Sequence, residues 1–465
     1  MAAGLLVFSR DIGYRVQLVG LALFFIAALL RPRLALAFVI GSAPFYLIPA
    51  QLGGLRQGLT FVAVHEAALL TTLAATVVRA TVGPKHSTRL DSRVRNASAL
   101  QRGWQARGSA LALRWYLPHI LLLIAATATL LLATPEGIGA ARREWLRLII
   151  LPVLWYGLLR VGGLPALRSA AAGLVVGAGL VAGIGVLQAI GLDLVPLIGV
   201  RQGFGTGTVE TGGLLRIASV YGHPNNLGLL LERALPFALA AVLLWRGAPR
   251  AAASILALLV VGGIGVSLSR GAWLASAAAV LALAWGWLAV QRTRPQIGRL
   301  LVIGGVLVAA LGPVLLLRGA AGGSADARVL LWRETLAYIG QQPLGLGMDQ
   351  FYYHHNPEFG RSAIDAALIG TSEQFAAHPH NLLLDTWANV GPLGLVAFGW
   401  LTWRILRWSV VRLRTGPNLL ILGAFAACVA ALAHGLVDRW YFVPDLALVF
   451  WLLVAIAEGS ELDYA

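Results

Sequence analysis

Long apolar runs, separated by short basic or glycine-rich connectors, make up most of the chain. A helix needs about 20 mainly apolar residues to cross the hydrocarbon core of a bilayer. The alternating ten-residue pattern of a membrane β-barrel is absent. The sequence therefore predicts an all-α, polytopic transmembrane helical bundle, a single integral-membrane domain over residues 1–465. About 12–13 spans are expected, near residues 16–30, 34–50, 59–78, 116–133, 146–161, 168–190, 227–245, 252–268, 271–290, 300–317, 386–407, 417–437 and 442–458.

Three polar segments interrupt the apolar pattern, and their charges predict which side each occupies. Segment 79–115 carries eight basic residues and one acid, whereas segment 318–385 carries four arginines, no lysine and seven acids. Because basic loops stay in the cytoplasm, 79–115 is expected inside, and 191–224 and 318–385 outside. Thirteen spans place the N-terminus outside. Twelve spans with an internal N-terminus remain the alternative.

Composition narrows the class of protein further. The chain is 58% hydrophobic and only 12% charged, about half the charged fraction of a soluble protein. The net charge of +16 comes mostly from basic residues in connectors beside spans. Basic residues at these positions set the orientation of the spans or contact anionic lipids, so nucleic-acid binding is disfavoured. Glu66 lies inside an apolar run, so it is expected to face the protein interior with a partner.

Four of the arginines that are predicted to lie outside, where the positive-inside rule does not explain them, are candidates for ligand binding: Arg216, Arg270, Arg328 and Arg333. Guanidinium groups stay charged at physiological pH, and each can form bidentate hydrogen bonds with two phosphate oxygens. The set therefore indicates a diphosphate headgroup at the outer membrane boundary. The alternative is that each arginine pairs with a nearby acid such as Asp326, Glu334 or Asp349.

A histidine pair, His378-Pro379-His380, lies at the end of the long outer segment and is followed by Asn381. Asn381 is expected to cap a helix by accepting from the N–H groups of Leu383 or Leu384. His380 can then carry a proton at the water–membrane boundary.

Two further histidines of this segment, His354 and His355, are expected on the surface. The spacing of these four histidines, with no matched cysteine or carboxylate, disfavours a zinc site, so neither a metal nor another cofactor is predicted.

The order of several short motifs resembles that of the O-antigen ligase and O-antigen polymerase family. Ser269-Arg-Gly-Ala-Trp273, Arg328-x3-Trp332, Gln342-Pro-Leu-Gly-Leu-Gly347 and His380-Asn-x9-Gly-x-x-Gly394 occur in the order typical of that family. His223-Pro-Asn-Asn226 and His434-Gly-Leu-Val-Asp438 also fit the resemblance, which covers about residues 200–458.

The resemblance implies a bacterial inner-membrane glycosyltransferase of the GT-C kind, with a metal-independent site facing the periplasm or exterior. Such enzymes transfer a glycan from an undecaprenyl-diphosphate carrier to a glycan, lipid or protein acceptor. By motif, His380 is the expected catalytic histidine, and Arg270 and Arg328 hold the diphosphate. Arg216 is a third candidate contact, and Arg333, His378 and Asn381 complete the candidate substrate-binding residues.

His380 is expected to act as a general base toward the acceptor hydroxyl, with inversion at the anomeric carbon. The neighbouring arginines are expected to lower its pKa, and Pro379 to separate its ring from that of His378. The extra histidine leaves open which imidazole reacts. The sequence also leaves open ligase or polymerase activity, and a transporter of lipid-linked glycans is the alternative from another class.

Overall fold

The computed structural model describes residues 14–47, 49–51, 61–82, 108–198, 208–211, 214–290, 324–359, 366–371, 373–414, 416 and 418–459. The helices are α1 Tyr14–Leu30, α2 Pro32–Ser42, α3 Val64–Val82, α4 Gly108–Ala128, α5 Ile138–Trp145, α6 Leu151–Ala189, α7 Val195–Ile198, α8 Pro224–Leu244, α9 Gly247–Ser267, α10 Arg270–Val290, α11 Ser324–Gln341, α12 Phe351–His355, α13 Leu382–Leu413, α14 Leu419–Gly435 and α15 Pro444–Gly459. The strands form two antiparallel hairpins, β1 Pro49–Gln51 with β2 Phe61–Ala63 and β3 Thr208–Thr211 with β4 Leu214–Ile217.

The predicted all-α membrane fold is confirmed. Within the described residues, six helical segments are long and apolar enough to cross a membrane: 115–132, 138–189, 224–244, 247–267, 270–289 and 382–413. Shorter apolar helices lie at 18–30, 32–45 and 419–435. The span predicted at 300–317 lies outside the described residues. The ends of the predicted 79–115 loop are helical, because α3 continues to Val82 and α4 begins at Gly108.

Two long helices are each broken once by a glycine in a non-helical conformation. In α6 the break is at Gly163, between the two spans that the sequence predicts at 146–161 and 168–190. In α13 the break is at Gly391, just before Pro392. This second break separates a short N-terminal segment, which directly follows His380 and Asn381, from the rest of the helix.

The last helix, α15, forms the centre of the bundle. All of its residues from Pro444 to Glu458 are buried, and it contacts α6, α13 and α14. A helix that is apolar on every side belongs in a protein interior. The connection between α14 and α15, which includes Asp438, is thereby anchored at both ends.

Three buried carboxylates of the described helices have basic partners. Glu66 is buried and contacts Arg147, as the sequence predicts for a charge at that depth. Glu458 lies 3.0 Å from Arg404. Glu232 contacts both Arg233 at 2.9 Å and His434 at 2.7 Å. Because an isolated charge is costly in a membrane, these pairs fix the relative positions of the helices.

The sidedness of the loops is a testable prediction. Reporter tags at Arg93 and Arg412 should report the cytoplasm, and tags at Gly323 and Phe359 the outside, because of the charge asymmetry of their segments. Cysteine accessibility in intact cells provides the measurement. A common side for Arg93 and Gly323 would contradict the outer location of the site.

Candidate functional site

Asn381 sets the start of α13 and places His380 directly before it. The side-chain oxygen of Asn381 accepts from the N–H groups of Leu383 and Leu384 at 3.0 and 3.1 Å, which confirms the predicted cap. Its amide group donates to the carbonyl of Leu436 at 3.1 Å. His380 has a positive φ of 50°, a conformation that is uncommon for histidine. The cap therefore orients the His380 side chain toward the connection between α14 and α15.

The glycine-containing motifs at 342–347 and 391–394 support the break in α13. Gly391 has a φ of +69°, and a Cβ there would lie 2.4 Å from the carbonyl oxygen of Leu344. The break leaves the carbonyl of Ala388 without its helical partner, and the N–H groups of Leu346 and Gly347 donate to it at 2.8 and 3.1 Å. These motifs hold the segment of α13 before Gly391, and hence the residues at its N-terminus, against the loop that follows α11.

His380 lies between two carboxylates. Its Nδ1 is 3.0 Å from Oδ1 of Asp438, and its Nε2 is 3.1 Å from Oε2 of Glu373. Both carboxylates are acceptors when ionised, so both ring nitrogens must donate, and this arrangement suits the imidazolium cation. The side chains of all three residues are largely buried.

The prediction of a lowered pKa for His380 is wrong. Burial does oppose protonation, but the charge and hydrogen bonds of Asp438 and Glu373 outweigh it and raise the pKa of His380 to about 9. Burial favours the neutral form of Asp438 as well, yet the charge of the His380 cation and its hydrogen bond, together with the nearby His378 ring, hold the pKa of Asp438 well below its usual value. Sequence reasoning erred because it considered only the arginines as neighbours of His380.

The expectation that Pro379 separates the two histidines is also wrong. The rings of His378 and His380 have centroids 4.2 Å apart, and Nε2 of His378 lies 3.6 Å from the same Asp438 oxygen. Burial, followed by the positive charges of Arg439 and His380, holds the pKa of His378 well below its usual value. Two adjacent imidazoles therefore have opposite protonation preferences, with His378 neutral and His380 charged.

Asp438 connects His380 to Arg216 through Asn225. The amide group of Asn225 donates to Oδ2 of Asp438 at 2.9 Å, and its carbonyl oxygen accepts from Arg216 at 2.8 Å. Arg216 also donates to the carbonyl of Ser267 at 3.2 Å. Asn225 and Asp438 lie in motifs that carry the family resemblance, but neither residue was predicted to belong to the site. Glu373 lies in no motif and was not predicted either.

Three of the four predicted arginines converge. Burial, followed by the positive charges of Arg270 and Arg328, lowers the pKa of Arg216, so these cations lie close together. Arg270 begins α10 with an exposed side chain, and Arg328 is half-buried on α11. The Nε of Arg328 is buried without a hydrogen-bond partner among the described residues.

No acid within the described part of the chain forms an ion pair with these arginines, which argues against the alternative of separate Arg–acid pairs. Arg333 is exposed on α11 and stays outside the hydrogen-bond network that the described residues form.

The expected surface location of His354 and His355 is wrong, because both are buried. Nδ1 of His355 is 3.0 Å from Glu334, and its Nε2 is 3.0 Å from the carbonyl oxygen of Glu373. The hydrogen bonds of these acceptors raise the pKa of His355 against the effect of burial. His355 thereby holds the backbone of Glu373 in place.

His378, His380 and Asp438 also have a spacing that a metal ion could use, since their ligand atoms lie within 4.8 Å of one another. The surroundings favour hydrogen bonds instead. His380 meets a carboxylate at each ring nitrogen, and a ligating nitrogen must carry no proton. Arg439 adds positive charge beside His378.

Comparison with protein families agrees with this arrangement. Residues 255–399, just under a third of the chain, match the family model described as O-antigen ligase. This segment is similar to the O-antigen ligase family, in agreement with the resemblance that the sequence motifs indicate. It contains Arg270, Arg328, Glu373 and His380, whereas Arg216, Asn225 and Asp438 lie outside it. A search of curated proteins gave no match.

Proposed function

We propose that this O-antigen ligase family protein transfers a glycan from an undecaprenyl-diphosphate carrier to an acceptor hydroxyl at the outer face of the bacterial inner membrane. The observation that carries the proposal is the meeting of three arginines without acidic partners, among the described residues, with a histidine held between two carboxylates. The first group suits an anionic leaving group, and the second suits a hydroxyl that must lose its proton.

The arginines bind and stabilise the diphosphate. Arg216 and Arg328 are partly buried, so their charges act where water screens them less. Arg270 is at the exposed N-terminus of α10, where it can reach a headgroup that enters from the membrane surface. As the bond between the anomeric carbon and the diphosphate oxygen breaks, negative charge grows on that oxygen. Positioned cations lower the energy of that state.

The acceptor side is built around Glu373, His380 and Asp438. Asn225 connects Asp438 to Arg216, so the groups on the acceptor side and on the diphosphate side share one hydrogen-bonded network. Attack of the acceptor hydroxyl opposite the leaving group inverts the anomeric centre. The membrane confines the lipid-linked glycan to one plane and raises its local concentration at the site.

A reconstituted transfer assay tests this function. Purified protein in liposomes is incubated with an undecaprenyl-diphosphate glycan and, separately, with lipid A-core, a second lipid-linked glycan or a glycosylatable protein. Transfer to lipid A-core indicates a ligase, and elongation of the second glycan indicates a polymerase. Movement of intact lipid-linked glycan across the membrane, with no glycosylated product, would contradict the proposal and favour a transporter.

The enzyme is expected to work without a metal ion. The positive charge that stabilises the diphosphate comes from arginines, so the transfer rate should be unchanged, within about twofold, in excess EDTA. The measurement is the initial transfer rate before and after chelation, with added Mg²⁺, Mn²⁺ or Zn²⁺ as the reverse test. Loss of turnover that one of these ions restores would make the His378–His380–Asp438 group a ligand set.

A further inference from the structure

We propose that Glu373, not a ring nitrogen of His380, accepts the proton of the acceptor hydroxyl, while His380 remains a cation between Glu373 and Asp438. This inference rests on the proposed function, and it names the group that completes the reaction. It reverses the expectation from sequence that His380 is the general base.

The hydrogen bonds of His380 carry the argument. A general base needs an unprotonated atom within about 2.6–3.2 Å of the proton that it removes. The two ring nitrogens of His380 each lie at hydrogen-bond distance from a carboxylate oxygen, at 3.0 and 3.1 Å. Both nitrogens donate in this arrangement, so neither has a lone pair for the acceptor. A carboxylate has about four acceptor positions, so Glu373 can bind the acceptor hydroxyl while it still accepts from His380.

The position of Glu373 is fixed on its backbone side as well. Its carbonyl oxygen accepts from Nε2 of His355 at 3.0 Å, and Nδ1 of His355 lies 3.0 Å from Glu334. Both acceptors require His355 to donate from both nitrogens, so the imidazolium of His355 links α11 to the Glu373 loop. The side chain of Glu373 is only 11% exposed. A base held in this way loses little freedom when the acceptor binds.

The charged neighbours of this pair are consistent with such a role. His380 faces Asp438, Glu373, His378, His223 and Asp385. Glu373 faces His380, His355 and His223. Hydrogen bonds connect Glu373 through His380, Asp438 and Asn225 to Arg216, so Glu373 belongs to the same network as an arginine proposed to bind the diphosphate.

The proposed step balances in atoms and charge. The acceptor oxygen forms a bond to the anomeric carbon while its proton moves to a Glu373 oxygen. The bond from that carbon to the diphosphate oxygen breaks, and its electron pair stays on the diphosphate, next to the arginines. Glu373 later releases the proton to water. Carboxylates perform the same role when they activate water in inverting glycosidases.

The pH dependence separates the two possible bases. A base with a pKa of about 9, the value for His380, is unprotonated in a fraction that falls tenfold for each pH unit below 9. If His380 were the base, the rate would drop about a hundredfold between pH 8 and pH 6. If Glu373 is the base, the rate should stay within about twofold over that range, without the tenfold loss per pH unit that His380 would give.

Variants test the same assignment. Glu373→Gln keeps the size and the acceptor for His380 but removes the base, so transfer should fall by about 10²–10⁴-fold while binding of the lipid-linked glycan persists. Glu373→Asp should retain intermediate activity. Glu358→Gln changes an exposed carboxylate in the same segment and should leave the rate unchanged. A wild-type rate in Glu373→Gln, or a tenfold drop per pH unit below 9 in the unmodified enzyme, would overturn the proposal.

A measurement that needs no turnover keeps this proposal separate from the proposed function. NMR of histidine labelled in the imidazole ring, with His380→Asn for assignment, reports the protonation of His380 in the full-length protein. The proposal predicts an imidazolium at pH 7, and a pKa about one unit lower or more in Glu373→Gln, because an opposite charge is lost. A neutral His380 ring at pH 7 would overturn it, even if transfer itself is observed. Absence of transfer in the unmodified protein with every acceptor, despite a charged His380, would instead count against the proposed function.

Discussion

Replacement of His380 by asparagine is expected to lower the rate of glycan transfer by about 10²–10³-fold, the cost of removing one preorganised electrostatic group. The substitution removes the cation that neutralises Asp438 and Glu373, and both carboxylates are largely buried. Asparagine tolerates the positive φ of 50° at this position better than most residues. The protein should therefore fold and still bind the lipid-linked glycan. Transfer rates and glycan-donor binding, measured on the same preparations, provide the check.

The matched comparison is His378→Asn. His378 lies 3.6 Å from the same Asp438 oxygen, which is a weak contact, so this substitution should cost about tenfold or less. If His378→Asn abolished transfer and His380→Asn kept a normal rate, the roles of the two histidines would be the reverse of those assigned here. Normal rates in both variants would remove the histidines from the reaction.

Arg328→Ala is expected to reduce transfer by a similar factor, about 10²–10³-fold, through loss of charge stabilisation at the leaving diphosphate. Its buried Nε has no partner among the described residues, so the side chain is available to an anion. Arg270→Ala should also reduce the transfer rate. The effect should be smaller than for Arg328→Ala, because the Arg270 side chain is more exposed and water screens its charge more. Lysine at position 328 should restore only part of the rate, since a point charge does not form paired contacts with phosphate oxygens. Steady-state rates against glycan-donor concentration provide the measurement.

Substitutions at two other arginines serve as controls for Arg328→Ala. Arg333 lies on the same helix as Arg328 but outside the hydrogen-bond network of the described residues. Arg333→Ala should therefore reduce the transfer rate less than Arg328→Ala does. Arg250 is exposed near the start of α9, at the opposite end of this helix from Ser267, which contacts Arg216, so Arg250→Ala is a control away from the site. Wild-type rates in both Arg328→Ala and Arg328→Lys would show that Arg328 does not contact the diphosphate.

Local chemistry was sufficient to predict much of the fold. Apolar run length predicted an all-α membrane fold, and six helical segments of the described residues are long and apolar enough to cross a membrane. The sequence at Asn381 predicted a cap that the structure confirms. Glu66 has the interior partner that its depth in the membrane demands. Each of these features depends on residues close in sequence or on the cost of burying a charge, which a single sequence reveals directly.

The electrostatic environment of His380 could not be predicted in the same way. Asp438 is 58 residues away in the sequence, and Asn225 is 213 residues from Asp438. Glu373 is closer but lies on a segment without a motif, and its placement depends on buried His355. Arginines are unexpected in segments predicted to lie outside, so the sequence drew attention to them. Acidic residues are common in such segments, so the sequence did not distinguish Glu373 and Asp438 from other acids. The sign of the pKa shift at His380 was wrong for this reason.

The lipid product of the reaction tests the central claim most directly. Glycosyl transfer breaks the bond between the anomeric carbon and the diphosphate, so mass spectrometry of the reconstituted reaction should show one undecaprenyl diphosphate for each glycan linked to acceptor. Arg328→Ala and His380→Asn should reduce the lipid and glycan products together. Release of undecaprenyl monophosphate with a phosphorylated glycan, or recovery of only intact lipid-linked glycan, would contradict transfer at the anomeric carbon.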